Sequence, residues 1–159
     1  MGISFGSTGI KPYVGSKEVQ EAYVGSQLVY QNAPPYVYAF LGTSNDYVLA
    51  DWCTLTKNAT VQKYNGVYKI SIAADRPSGT VTLDITSLKH KNKISFDYMS
   101  TSYDNNIYIG SESYKLPYNN KFGRREFTIP NGVTQIRFTA YSSDSHISNA
   151  LRLDAIKIE

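Results

Sequence analysis

Cysteine is nearly absent: the 159 residues hold one, Cys53, so no disulfide can form within the chain. Charge of one sign is lacking as well. Sixteen Lys and Arg against thirteen Asp and Glu leave +3 at neutral pH. The single basic cluster, Lys89-His90-Lys91-Asn92-Lys93, reads as a turn and is too short for the stripe that tracks a phosphate backbone. No nucleic-acid partner is expected. No apolar run approaches the roughly 20 residues of a spanning helix. Met1 to Gly6 lack a basic-then-apolar signal pattern, and Gly6 stands where myristoylation wants Ser or Thr. No membrane partner is expected, and synthesis is expected in a cytoplasm.

Catalytic signatures are missing too. There is no G-x-S-x-G elbow, phosphate-cradling Gly loop, H-E-x-x-H or C-x-x-C. His90 and His146 fall in polar, turn-like stretches and read as solvated loop residues. Cys53 follows Trp52 among apolar and β-branched neighbours, which predicts a buried, inert thiol beside a core anchor. Asp84 and Asp97 fall on the outward phase of strands that could lie near one another, the one pair worth testing for glycoside hydrolysis. Exposed strand carboxylates are ordinarily just solvated. The expectation is no enzyme.

What the chain has in excess is tyrosine: 14, beside 6 Phe and 1 Trp. Tyr favours strands and half-wet surfaces. That suits exposed strand faces, a surface that stacks rings on a ligand, or both. Period-two alternation dominates after residue 35. Tyr68, Ile70 and Ile72 alternate with Lys69 and Ser71; Val81, Leu83 and Ile85 with Thr82 and Asp84; Ile94, Phe96 and Tyr98 with Ser95 and Asp97. Ile107/Ile109, Phe127/Ile129 and Ile136/Phe138/Ala140 continue it. One-sided alternation is the pattern of antiparallel sheets over a single core. Phe96, Ile109, Phe127, Ile136 and Phe138 are the expected core.

Asn65-Gly66 signals a hairpin. Turns are expected at Arg76-Pro77-Ser78-Gly79, Asp104-Asn105-Asn106, Tyr118-Asn119-Asn120 and Pro130-Asn131-Gly132. Leu151 and Leu153 are odd-numbered whereas Ile156 and Ile158 are even, which a β-bulge near Asp154-Ala155 would reconcile. No helical stripe is sustained. About eight or nine short strands predict an all-β fold, a jelly-roll β-sandwich.

The first residues read differently. Tyr13-Val14-Gly15-Ser16 returns as Tyr23-Val24-Gly25-Ser26, a ten-residue period that predicts a short β-hairpin or meander element. Two such hairpins cannot bury a core alone. Pro34-Pro35 reads as a stiff linker, giving residues 1–34 as a docking element and 35–159 as the sandwich. Tyr13, Val14, Tyr23, Val24, Leu28 and Val29 are the docking candidates, since exposed apolar strands seek partners.

Sugar recognition sets aromatic faces against C–H surfaces and planar polar groups against hydroxyls. Loop candidates are Tyr103, Asp104, Asn105, Tyr118, Asn119 and Arg124; Tyr108, Arg137 and Tyr141 form an outward strand set. Oxygen-rich stretches, Asp104-Asn105-Asn106 and Ser142-Ser143-Asp144-Ser145, with Asp154 at the bulge, could ligate a structural Ca²⁺. Turns require Asp and Asn in any case, and no other cofactor is expected.

Two resemblances extend this reading. Asp51-Trp52, Gly79 to Ile85, Phe127 to Phe138 and the closing Leu153-Asp154-Ala155-Ile156-Lys157-Ile158 make residues 36–159 similar to a carbohydrate-binding module of the galactose-binding-like jelly-roll type. Ile3-Ser4-Phe5-Gly6, the Tyr-Val-Gly-Ser repeat and Leu28-Val29-Tyr30 resemble the N-termini of small virion proteins of tailed bacteriophages. Together they imply a non-enzymatic virion protein, assembled in the bacterial host cytoplasm. It would be present in many copies or as a homo-oligomer, held by other virion proteins and touching host-surface glycan weakly and multivalently. The alternative is a free-standing carbohydrate-binding accessory module.

Overall fold

The structure, a computed structural model, describes residues 13–14, 17–18, 21–24, 27–31, 36–56, 58–74, 78–89, 91–102, 104–141 and 147–159. Side chains are described from residue 36 onward, except those of 148 and 149. The chain divides into two units, one ending at Pro35 and one beginning at Tyr36.

In the first unit, β1 (Tyr13–Val14) pairs with β2 (Lys17–Glu18), and β3 (Glu21–Val24) with β4 (Gln27–Gln31), both antiparallel. Each pair spans one copy of the repeat. The Gly15-Ser16 and Gly25-Ser26 connections lie outside the described residues, as do His90, His146, Tyr103 and the 142–145 stretch.

The second unit is all β among its described residues, with twelve strands in two curled antiparallel sheets. They are β5 (Val37–Gly42), β6 (Tyr47–Leu49), β7 (Cys53–Leu55), β8 (Ala59–Tyr64), β9 (Val67–Ala74), β10 (Thr80–Asp84), β11 (Lys93–Ser100), β12 (Asn105–Ile109), β13 (Glu112–Leu116), β14 (Asn119–Thr128), β15 (Gln135–Thr139) and β16 (Ile147–Ile158). The smaller sheet runs β13-β12-β15-β10-β7. The larger runs β14-β11-β16-β5-β6, with β9 also on β16 and β8 on β9.

Alternation decides which face is inside. Val81, Leu83, Ile107, Ile109, Ile136 and Phe138 from the smaller sheet meet Ile70, Ile72, Ile94, Phe96, Leu151 and Leu153 from the larger, all essentially inaccessible to water. Phe96 and Phe138 join the layers edge to face, centroids 4.9 Å apart. Phe127, expected in the core, is only half-buried: it lies on β14 at the sheet's edge and stacks on Phe96 at 6.1 Å.

Local chemistry explains the joints. Asn65 (φ 50°) and Gly66 (φ 80°) both take the left-handed conformation that a two-residue hairpin needs. On β16, Asp97 faces Asp154 while Ser95 faces Lys157, so an extra residue is accommodated and Ala155 sits at φ 45°. That bulge turns the odd-numbered leucines and the even-numbered isoleucines to the same interior. Two expected turns are corrected: Asn105-Asn106 open β12 and Asn119-Asn120 open β14.

Candidate functional site

The sequence-nominated residues fall into three places. Asp104, Tyr118, Asn119 and Tyr141 gather at one end of the sandwich. There Asn119 pairs with Ser100 in register, and Ser102 Oγ donates to the Tyr141 carbonyl at 3.0 Å. Tyr118 and Tyr141 are well exposed. Asn105 does not join them at the surface. It is fully buried, its amide donating to Ser100 Oγ and to the Ala150 carbonyl, both at 2.8 Å. Asn105 shares the odd phase of Ile107 and Ile109, so the strand turns it inward and commits it to structure.

Tyr108 and Arg137 lie on the exposed face of the smaller sheet. They are cross-strand partners, with the guanidinium 4.6 Å from the ring centroid. Thr82 and Thr54 extend the same row on one side and Ser113 on the other. Arg124 is elsewhere, on the exposed face of the larger sheet.

That third place holds the densest chemistry, and most of it was not nominated. Arg124 donates to Asp97 Oδ1 at 3.3 Å and to Ser95 Oγ at 2.7 Å. Asp97 is flanked in register by Asp154, whose carboxylate takes the Lys69 ammonium. Row neighbours thus run cation, carboxylate, carboxylate, cation across β14, β11, β16 and β9. Asp154, expected as a Ca²⁺ ligand, has both carboxylate oxygens engaged within the protein. One carboxylate oxygen accepts from the Gly42 N–H at 2.9 Å and the other from Lys69, so a protein cation already occupies it. Among the described residues no group of three or more His, Cys, Asp or Glu could hold a metal.

This carboxylate sits where β16 changes partners, leaving β9 after Leu153 and joining β5 from Ile156. Gly42 must be glycine there, because a Cβ would lie 1.8 Å from the Tyr68 carbonyl oxygen.

Above this row stand two rings. Tyr64 on β8 and Phe122 on β14 have centroids 6.1 Å apart. Their strands are separated by β11, β16 and β9, so a flat sheet would hold them roughly 19 Å apart, four steps of about 4.8 Å. Two aromatic side chains cannot span that distance. The sheet therefore curls toward this face and forms a trough. Lys69 Nζ lies 5.0 Å from the Phe122 centroid, and the Arg152 guanidinium 4.3 Å from that of Tyr64. Tyr64 reads in sequence only as a flank of the Asn65-Gly66 hairpin, and Phe122 falls in no pattern the sequence offers. Neither carried a signal.

The other titratable groups do structural work. Asp84 and Asp97 belong to different sheets, so the expected proximity is corrected. Asp84 accepts from the Thr86 hydroxyl and N–H, which lowers its pKa. Burial pushes the Cys53 thiol up to about 12. Trp52 is partly buried against the core.

No family model matches the chain, and no curated protein does. Solved structures do. The sandwich resembles family 29 carbohydrate-binding modules. A mutant of CBM29-2, made to probe ligand recognition, superposes with a TM-score of 0.54 at 13% identity, covering 78% of this chain and 91% of the module. Another, complexed with cellulohexaose, gives 0.51 at 14%, covering 77% and 89%. CBM29_1 from Piromyces equi gives 0.51 at 10%, covering 77% and 88%. At these identities the likeness establishes the fold: a β-sandwich of carbohydrate-binding-module type.

Proposed function

We propose that residues 36–159 form a non-catalytic carbohydrate-binding domain that takes glycan into the trough of the larger sheet. The observation that carries this reading is the approach of Tyr64 to Phe122 across five strands. Rings offered over a row of fixed charged groups match a sugar, whose C–H faces stack while its hydroxyls pair with carboxylate and guanidinium. Arg124, Asp97 and Ser95 are already locked to one another, so little ordering is required on binding. Asp84 and Asp97 lie on different sheets and do not pair around the trough.

The test is calorimetric titration of the full chain with soluble oligosaccharides, comparing Tyr64→Ala and Phe122→Ala with Tyr108→Ala and Tyr141→Ala. Trough variants lose affinity by about tenfold or more, which corresponds to about 1.4 kcal/mol, while the other two bind like the wild type. The reverse pattern would move the site to the sandwich end or to the smaller sheet.

The hairpin unit supports a second reading, attachment to a larger assembly such as a phage particle. Its basis is the ten-residue repeat folded into two successive hairpins, with two Lys balanced by two Glu over residues 1–34. Docking through Tyr13, Val14, Tyr23, Val24, Leu28 and Val29 would be apolar, and so insensitive to salt. Retention of the chain on particles after a high-salt wash, and its loss when residues 1–34 are deleted, is the expected result. Equal retention of the deleted chain would sink this reading and leave the glycan site untouched.

A further inference from the structure

We infer that the glycan held in the trough is acidic, with a uronic-acid carboxylate seated on Arg152; this rests on the trough being the glycan site. The basis is an imbalance among the charges of that face. Lys69 is paired with Asp154, Arg124 with Asp97, Lys157 with Glu159 at 2.7 Å, and Lys93 with Glu126 and Glu159 at 3.6 and 3.5 Å. Arg152 has no carboxylate partner among the described residues; its guanidinium is stacked on Tyr64 instead.

The stacking is what makes Arg152 a seat rather than a loose surface charge. Arg152 is part-buried, so water screens it less than it screens a solvated side chain. With Cζ over the Tyr64 ring and no carboxylate beside it among the described residues, the guanidinium keeps its fork of N–H donors for a ligand. That fork matches a carboxylate bidentately, at closer to twice the strength of a neutral hydrogen bond. A uronic acid carries its carboxylate at the rim of the pyranose ring. A sugar face laid beside Tyr64 and Phe122 therefore brings the anion to the ring's edge, where Arg152 stands. Asp97 and Asp154 do not oppose this, because each is already matched by a cation of its own.

The experiment titrates the full chain with hexagalacturonate and with cellohexaose, at low salt and at about 0.5 M NaCl, where the Debye length has shrunk well below 10 Å. The wild type favours hexagalacturonate by about tenfold or more at low salt. High salt shrinks that preference, because only the acidic ligand loses affinity. Arg152→Gln brings the ratio of the two affinities close to one, and Arg152→Lys keeps part of the preference. Equal affinities, or preference for cellohexaose, overturn the acidic assignment while leaving the glycan reading standing. Binding of neither ligand overturns both. A preference that persists in folded Arg152→Gln removes the seat from Arg152. Should that variant fail to fold, the wild-type salt titration together with Arg152→Lys decides: a salt-independent preference, or one undiminished in Arg152→Lys, overturns the proposal.

Discussion

Each exposed sheet face carries an arginine stacked on a tyrosine, at nearly the same distance. On the smaller sheet Arg137 lies 4.6 Å from Tyr108; on the larger, Arg152 lies 4.3 Å from Tyr64. The chemistry is the same and the cause is not. Tyr108 and Arg137 are direct cross-strand partners, so register alone brings them together. Tyr64 and Arg152 belong to β8 and β16 with β9 between them, so their contact depends on the sheet curling. A stack made by register is a local decoration, part of a row with Thr82 and Thr54. A stack made by curvature closes a trough and gathers residues from five strands. Only the second kind builds a concave place for a ligand.

Both faces rest on one core, so the largest effect should strike them together. Phe138→Ala removes the ring that meets Phe96 edge to face and should cost about 3–5 kcal/mol. Chemical denaturation measures it; an unchanged midpoint would contradict the shared core. Asp154→Ala leaves the Lys69 ammonium, 13% exposed, without its carboxylate and should cost about 3 kcal/mol, near the lower end for a broken buried pair. Arg137→Ala, on the other face, should cost about 1 kcal/mol or less, as an exposed cation–π contact does. Equal losses from the two variants would mean that the larger sheet is no more tightly tied than the smaller.

Two smaller effects follow from titration. Burial raises the Cys53 thiol to about 12, so at pH 8 it stays protonated and should resist alkylation in the native state, reacting only on unfolding. Mass spectrometry after iodoacetamide treatment checks this, and rapid native labelling would contradict it. Asp84 is the weakest lever. Its folded pKa is lowered by Thr86, so the stabilisation it adds is present above the ordinary carboxylate pKa and disappears as pH falls through the lowered folded value. Asp84→Asn should lower stability slightly at neutral pH and flatten the acid limb, with the two proteins converging at the lowest pH, as thermal melts across pH 2 to 7 would register.

Much of the sandwich was legible because strand alternation has only two phases. Val81 and Leu83, Ile94 and Phe96, and Ile136 and Phe138 turn inward as their period requires, and the phase change after Leu153 appears as the bulge at Ala155. Asn65-Gly66 forms its hairpin because few residue pairs tolerate two positive φ angles. The strands from Val37 to Leu55 were not anticipated: Gly42 and the exposed Tyr47 and Val48 break the alternation there. Asn105 has the chemistry of a turn residue, yet its phase with Ile107 and Ile109 places it inside.

The candidate site was legible only in fragments. Arg124 was named for its planar donors and Asp154 for its oxygens, but nothing in the order of residues joined either to Tyr64, Phe122, Lys69 or Arg152. Phe122 and Tyr64 are 58 residues apart and lie on opposite margins of five consecutive strands. Fold class, the inward face of the strands whose alternation is regular, the hairpin at Asn65-Gly66 and the position of the bulge are all written in the order of residues. All of these follow from steric and hydrophobic preferences acting over a few neighbouring residues. Which outward residues meet is settled by how the sheets fold in three dimensions, because outward alternation says nothing about curvature. Curvature arises from accumulated twist, the Ala155 bulge and the change of partner at Asp154, and it is curvature that turns separate polar and aromatic side chains into one site.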